Sequence, residues 1–154
     1  MPSRKPEASF GPVYPSIELV AVGRWGKKGH VEITVDGQPL PVVRLTAALW
    51  NTLAILVEAG CMSLGSHWAK AYVSPAALAA MLLERADVGD GDARNIHRII
   101  NKLRQRLNLA AKESLGVAGW GNMVVETDVT YGYHIRSAPE SLRLILLDGE
   151  EQQD

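Results

Sequence analysis

The sequence predicts an α+β fold in which a small N-terminal antiparallel β-sheet is followed by a three-helix core and a C-terminal β-hairpin. Apolar and polar residues alternate in the first third of the chain, as they do in half-buried strands. The middle of the chain changes to apolar residues three and four positions apart, which is the spacing of amphipathic helices. Strand-like alternation returns after a glycine-rich connection. At 154 residues, we expect one domain.

The predicted sheet begins with an apolar strand over residues 17–22, and a second strand follows over residues 30–35. Asp36 and Gly37 are typical of a two-residue hairpin turn, because glycine adopts a positive φ without a Cβ clash. The return strand over residues 38–45 contains two prolines. Since proline cannot donate to a strand ladder, we expect this strand at an edge of the sheet.

Helix signals begin at Thr46, which is predicted to cap the first helix, and Gly60 is predicted to end it. The apolar residues at helical spacing, and therefore the expected buried ones, are Leu49, Leu53, Leu56 and Val57. A loop over residues 60–73 follows. Ser74 and Pro75 then indicate the start of the second helix, because serine caps free amides and proline at the first position loses no hydrogen bond.

The third predicted helix covers residues 93–107, with Asp92 as its N-cap. Its apolar residues form one stripe, at Ile96, Ile100, Leu103 and Leu107. Its opposite face is basic and amide-rich, with Arg98, Asn101, Lys102 and Gln105. Residues 94–107 carry a formal charge of +5 and no acid, whereas the whole chain is −1 and the remainder therefore −6. Such a face is typical either of a solvated helix or of a helix that contacts nucleic acid.

The hairpin is predicted over residues 123–136, and a C-terminal tail over residues 137–154. Residues 141–147 of this tail are mostly apolar and are followed by an acidic end. Two interpretations remain open for them: packing onto the body of the domain, or contact with a second copy of the chain. The proline-rich residues 1–16 are predicted to be a disordered or linker arm.

Four segments in this order carry a family resemblance: VDGQPLPVVRLT at 35–46, VSPAALAAML at 73–82, RNIHRIINKLRQRL at 94–107 and VETDVTYGYHI at 125–135. Together they resemble the OmpR/PhoB-type winged-helix effector domain of bacterial response regulators, over residues 17–136. The resemblance implies a winged helix-turn-helix whose third helix enters the major groove and whose hairpin is the wing. The implied activity is sequence-specific binding of double-stranded DNA by a transcriptional regulator.

The resemblance also implies a set of DNA-binding residues: Arg94, Arg98, Asn101, Lys102, Arg104, Gln105 and Thr130. Arg94 and Arg104 are expected on phosphates, and the other helix residues nearer to base edges. RNA polymerase and a second copy of the chain on DNA are the further partners that it suggests. The chain departs from the family in the length of the loop over residues 60–73. It also departs in the wing, where the family commonly has an arginine and a glycine before Gly-Tyr and this chain has Val129 and Thr130. The carboxylate of Asp128, which precedes them, would repel phosphate.

The leading alternative is a winged helix that contacts protein and does not bind DNA, which the acidic remainder of the chain favours. An enzyme is not expected, because the four histidines lack metal-ligand spacing and no cofactor motif is present. Cys61 and His67 could form a thiol–imidazole pair, but a buried cysteine is the more common case. No signal peptide or membrane-spanning run is apparent, so we expect a cytoplasmic, nucleoid-associated protein without a cofactor, metal or membrane partner.

Overall fold

The computed structural model describes residues 16–62, 72–89, 91–115, 124–128, 130–136 and 141–147. These residues form an α+β fold, as predicted. The elements in chain order are β1 (Ile17–Gly23), β2 (Gly29–Val35), β3 (Gln38–Pro39), β4 (Val43–Leu45), α1 (Ala47–Met62), α2 (Pro75–Ala86), a 3-10 turn (Ala93–Asn95), α3 (Ile96–Leu115), β5 (Val125–Asp128), β6 (Gly132–Ile135) and β7 (Leu142–Leu146). The predicted arm, apart from Ser16, and most of the loop between α1 and α2 lie outside the described residues.

The main sheet is mixed, which corrects the prediction of a purely antiparallel N-terminal sheet. β2 pairs antiparallel with β1, β3 and β4, while β7 pairs parallel with β1. The order is therefore β3-β2-β1-β7, with β4 also on β2. β1 becomes a central strand because β7 occupies the edge that β2 leaves open. The register joins Leu19 to Leu142 and Gly23 to Leu146.

The C-terminal segment is accordingly part of the fold, and the predicted boundary at residue 137 does not separate a tail from the domain. Leu142 is buried and packs against α1 at Gly60, where an added Cβ would collide with the leucine side chain. This contact explains a second correction. Gly60 was predicted to end α1, but the helix continues to Met62, and the glycine instead provides the space into which β7 packs.

The turn between β2 and β3 follows the prediction closely. Asp36 and Gly37 both have positive φ angles, of 51° and 82°, and β3 pairs with the end of β2. The predicted return strand is divided in two, because residues 40–42 leave the ladder between β3 and β4. Leu40 turns inward there and is buried.

Helix α1 packs against the sheet, and α2 packs against α1, α3 and the 3-10 turn. The three leucines and one valine predicted for the core side of α1 are buried, together with Trp50, whose Nε1 donates to the carbonyl of His30 over 3.2 Å. Helix α2 begins as predicted, since Ser74 Oγ accepts from the amide of Ala77 over 3.1 Å with proline at the first position. These contacts form one hydrophobic core, against which α3 packs.

Candidate nucleic-acid interface

Helix α3 is divided into a buried and an exposed side, as its sequence predicts. The apolar stripe is at most 1% exposed at Ile96, Ile100, Leu103 and Leu107. The stripe continues one turn further at Ala111, which is fully buried, and α3 extends to Leu115. The predicted end at residue 107 was therefore too early. The small alanine side chain continues the packing but gives a weak hydrophobic signal in the sequence.

The opposite side of α3 is open to solvent. Every residue of the predicted polar face is exposed: Arg98, Asn101, Lys102 and Gln105. Within the described part of the chain, neither Arg98 nor Lys102 forms a salt bridge with an acidic side chain. The face therefore presents two uncompensated cations and two amides, which is the set of groups that recognises guanine and adenine edges.

Arg94 lies at the start of the same helical segment, in the 3-10 turn. The carboxylate of Asp92 accepts a 2.9 Å bond from the amide of Arg94 and a 2.8 Å bond from its guanidinium. The side-chain and backbone bonds from Arg94 hold the pKa of the Asp92 carboxyl below its usual range. Asp92 therefore caps the start of this helical segment, as predicted. It also offsets part of the charge of Arg94, whose side chain is 88% exposed and can still reach a ligand.

Arg104 has a structural contact that the sequence did not predict. Its half-buried guanidinium donates to the carbonyl of Val125 over 3.0 and 2.7 Å, and to Thr127 Oγ1 over 2.6 Å. Burial lowers the pKa of Arg104, which still leaves it protonated near neutral pH. The side chain thus ties α3 to β5. In the sequence, Arg104 lies next to Leu103, at the border of the buried stripe. That position was the available indication that Arg104 has a structural contact.

Two further contacts fix the hairpin formed by β5 and β6 against the helices. The hydroxyl of Tyr133 lies 2.6 Å from Nδ1 of His97, which is an exposed residue of α3 adjoining Arg98. The backbone of Tyr133 also exchanges two bonds with Val73, over 2.8 and 2.9 Å. Sequence reasoning missed His97, because an isolated histidine at the edge of a helical face carries no pattern. The hairpin is consequently joined to α3 through His97 and to the start of α2 through Val73.

The tip of this hairpin carries the last predicted site residue. Thr130 is exposed, and its amide donates to Asp128 Oδ1 over 2.8 Å. The same oxygen accepts from the amide of Tyr131 over 3.0 Å. Asp128 therefore organises the turn through an Asx-type arrangement. Its negative charge nevertheless stays beside Thr130, at the point where a phosphate would have to approach.

A charged cluster lies along the hairpin, centred on Glu126. This carboxylate contacts His134 Nε2 over 2.6 Å and also pairs with Arg136. The ring of Tyr72 lies 4.1 Å from that of His134. Burial lowers the pKa of His134, partly offset by the charge of Asp128 and a backbone hydrogen bond at Ile135. The desolvated imidazole is thus neutral near pH 7 and acts as a hydrogen-bonding part of the hairpin.

The described residues contain no cluster of histidine, cysteine, aspartate and glutamate suited to a metal ion. The thiol of Cys61 lies 3.3 Å from the carbonyl of Leu142. Burial, with the charge of Glu58, raises the pKa of this thiol and so disfavours the reactive thiolate. His67, its suggested partner, lies outside the described residues. None of the described helices has the length and apolar character needed to cross a membrane.

Comparison with protein-family models, with curated proteins and with solved structures finds no match for this chain.

Proposed function

We propose that this protein is a winged helix-turn-helix regulator that binds double-stranded DNA in a sequence-specific manner. The observation that carries the proposal is the exposed face of α3, where Arg98, Asn101, Lys102 and Gln105 are exposed without an acidic residue among them. A localised basic surface on a chain of net charge −1 is the electrostatic footprint of a DNA contact. Such a regulator would associate with the nucleoid in the cytoplasm.

The dimensions of α3 support insertion into the major groove. An α-helix with its side chains is about 10–12 Å across, which fits a major groove about 12 Å wide, and residues 98–105 present about 10 Å of its length to the groove. Arg98 is suited to the two acceptors of a guanine, and Asn101 or Gln105 to the donor and acceptor of an adenine. Lys102 adds charge between them. We assign a phosphate contact to Arg94, at the N-terminal end.

The hairpin supplies the second part of the proposed interface. Arg104 and Tyr133 hold it against α3, and we propose that its tip contacts the same duplex as α3. Thr130 could donate to a phosphate from that tip, whereas Asp128 opposes such an approach. We therefore assign most of the binding free energy to α3 and a minor, orienting contribution to the hairpin.

A protein contact is the second candidate function, and one exposed residue favours it. Leu109 is 56% exposed and follows Gln105 by four positions, on the same side of α3. An exposed leucine at the end of a basic face suits a protein partner better than DNA. In a regulator bound to its DNA site, this surface would contact RNA polymerase or a second copy of the chain.

Selection of binding sites from a random duplex library, followed by affinity measurements at several salt concentrations, tests the proposal. We expect the logarithm of affinity to fall with log salt with a slope of roughly −3 to −5, because three to five phosphates are neutralised. Arg98→Ala should cost about 1–3 kcal/mol on the selected site and little on random DNA. Arg94→Ala should weaken both alike.

Arg143→Ala is the matched control, since this exposed arginine lies on β7, away from α3, and removes the same charge. A flat salt response, or no binding at low salt, would reject DNA binding and leave the protein contact as the better proposal. Equal losses for Arg98→Ala on selected and random DNA would show that α3 does not read bases.

A further inference from the structure

A second basic region lies beside β4, towards the C-terminal half of α3. An open cavity of about 470 Å³ is bounded there by the loop before β2, by β4, by α3 and by the residue that follows β7. Its polar and charged lining residues are Lys28, His30, Arg44, Thr46 and Arg106. Three of these five are permanent cations, and no acidic residue is among the described residues that line the cavity.

The fold brings the three residues to one cavity, and a hydrogen bond fixes the guanidinium of Arg106 there. Arg106 donates from its guanidinium to the backbone carbonyl of Arg44 over 2.5 Å, across 62 positions of sequence. Arg44 in turn pairs in register with His30 on β2. The concentration of charge is therefore built by contacts between α3, β4 and β2. Among the described residues, the acidic side chain bonded to the lining is that of Glu32, which lies 3.3 Å from His30 and does not itself line the cavity.

Lys28, Arg44 and Arg106 line one cavity with no acidic residue among its described lining residues, so their like charges repel one another when no anion is present. The hydrogen bond to the carbonyl of Arg44 keeps the guanidinium of Arg106 at this cavity. Guanidinium and ammonium groups converging on a concave surface are the usual donors to phosphate oxygens, the guanidinium as a planar fork and the ammonium as a point charge.

We infer that this cavity binds a phosphate group, held by Lys28, Arg44 and Arg106. The inference rests on the proposed function in one respect, the source of the phosphate. Arg98, Lys102 and Arg106 follow one another at intervals of one helical turn, over about 12 Å. They form a basic ridge from the DNA-reading face to the cavity. The DNA backbone next to the recognised site is therefore the phosphate that we assign to it.

The test uses the full chain and two double variants. Lys28→Gln with Arg44→Gln removes two cations of the cavity, and leaves the carbonyl of Arg44 available to Arg106. Lys27→Gln with Arg143→Gln is the matched control, because it removes the same charges from exposed residues that do not line the cavity. Amide NMR spectra of each protein first verify the fold and are then recorded during titration with pyrophosphate.

Pyrophosphate should shift the amide signals of Gly29 and Leu45 in the unmodified protein and in the control. The Lys28/Arg44 variant should bind it at least tenfold more weakly. On DNA, the salt slope of that variant should become shallower by about 0.9 for each backbone phosphate lost, while the control keeps the original slope. An unchanged slope together with lost pyrophosphate binding would identify a free phosphorylated molecule as the ligand.

The inference is overturned if pyrophosphate shifts no lining signal, or if both double variants bind it equally. These outcomes are independent of the proposed function, because the titration contains no DNA. Arg98→Ala provides the converse comparison: it should impair selection of the DNA site and leave the pyrophosphate titration unchanged.

Discussion

Arg98, Arg104 and Arg106 contribute equally to the charge of α3 but occupy three different environments. Arg98 is exposed on the polar face, Arg104 is bonded to β5, and Arg106 reaches the carbonyl of Arg44. Residue type and helical position predicted the exposed environment of Arg98. The other two depend on which carbonyl lies within reach, so the role of a basic residue in α3 follows from its neighbours.

The environment of His134 makes the stability of the protein depend on pH below neutrality. Burial keeps its folded-state pKa below the ordinary value of 6.5, so the unfolded chain binds a proton more readily. The contribution of His134 to the free energy of unfolding is therefore fully present above about pH 6.5. It is lost as the pH falls towards the lower folded-state pKa. We expect the free energy of unfolding, measured in urea, to be smaller at pH 5.5 than at pH 7.5.

His134→Gln should reduce this pH-dependent loss, because glutamine keeps an amide donor near Glu126 and does not titrate. His30→Gln is the control, since this more exposed histidine has a partner in Glu32 and is not part of the hairpin cluster. If the two variants lose the same stability between pH 7.5 and 5.5 as the unmodified protein, His134 is not the group responsible.

At the scale of elements, the attachment of the hairpin to α3 determines whether the two act as one surface. Arg104→Lys keeps the charge and loses the planar fork that reaches Val125 and Thr127. We expect the free energy of unfolding to fall by about 1–3 kcal/mol, since hydrogen bonds to a charged group are lost. DNA affinity should fall by a similar factor on selected and random sequences, because the hairpin is displaced.

Arg94→Lys is the control for this substitution. It changes an arginine that is mostly exposed, and we expect a change in unfolding free energy within about 0.5 kcal/mol. Arg104 was predicted from the resemblance to contact a phosphate. Unchanged stability in Arg104→Lys would favour that role over the structural one.

At the scale of the whole molecule, β7 closes the sheet and connects the C-terminal end of the chain to the core. Leu142 is buried against α1, whereas Leu146 is 47% exposed. Leu142→Ala should therefore lower the free energy of unfolding by about 3 kcal/mol, as expected for a buried leucine. Leu146→Ala should have a small effect, within about 0.5 kcal/mol.

Truncation gives the complementary measurement. Removing residues 148–154 keeps β7 and should preserve the melting temperature, whereas removing residues 137–154 should destabilise the monomer strongly. Light scattering on the same proteins distinguishes this from the second-copy interpretation. A full-length dimer that becomes a folded monomer on removal of residues 137–154 would contradict the structural role of β7.

The elements themselves were largely predictable, because each depends on residues close in sequence. The i, i+4, i+7 spacing from Ile96 places its stripe on one side of a helix whatever surrounds it. Ser74 and Asp92 cap helical segments through bonds to amides two or three positions away. The Asp36–Gly37 turn depends on φ angles that these two residues tolerate. Local geometry suffices for all of these features.

The sequence by itself thus determined the order of the elements as far as β6, and the exposed basic face of α3. Tertiary structure alone decided the contacts of Gly60 with Leu142, of Arg104 with Val125 and of Arg106 with Arg44. Those partners are separated by 21 to 82 positions, and no periodicity within one element relates them. A strand can pair at either edge of a sheet, and a guanidinium can reach any nearby carbonyl. The packing of the whole core therefore decides which edge and which carbonyl are used. The same packing determines the shape of the basic cavity.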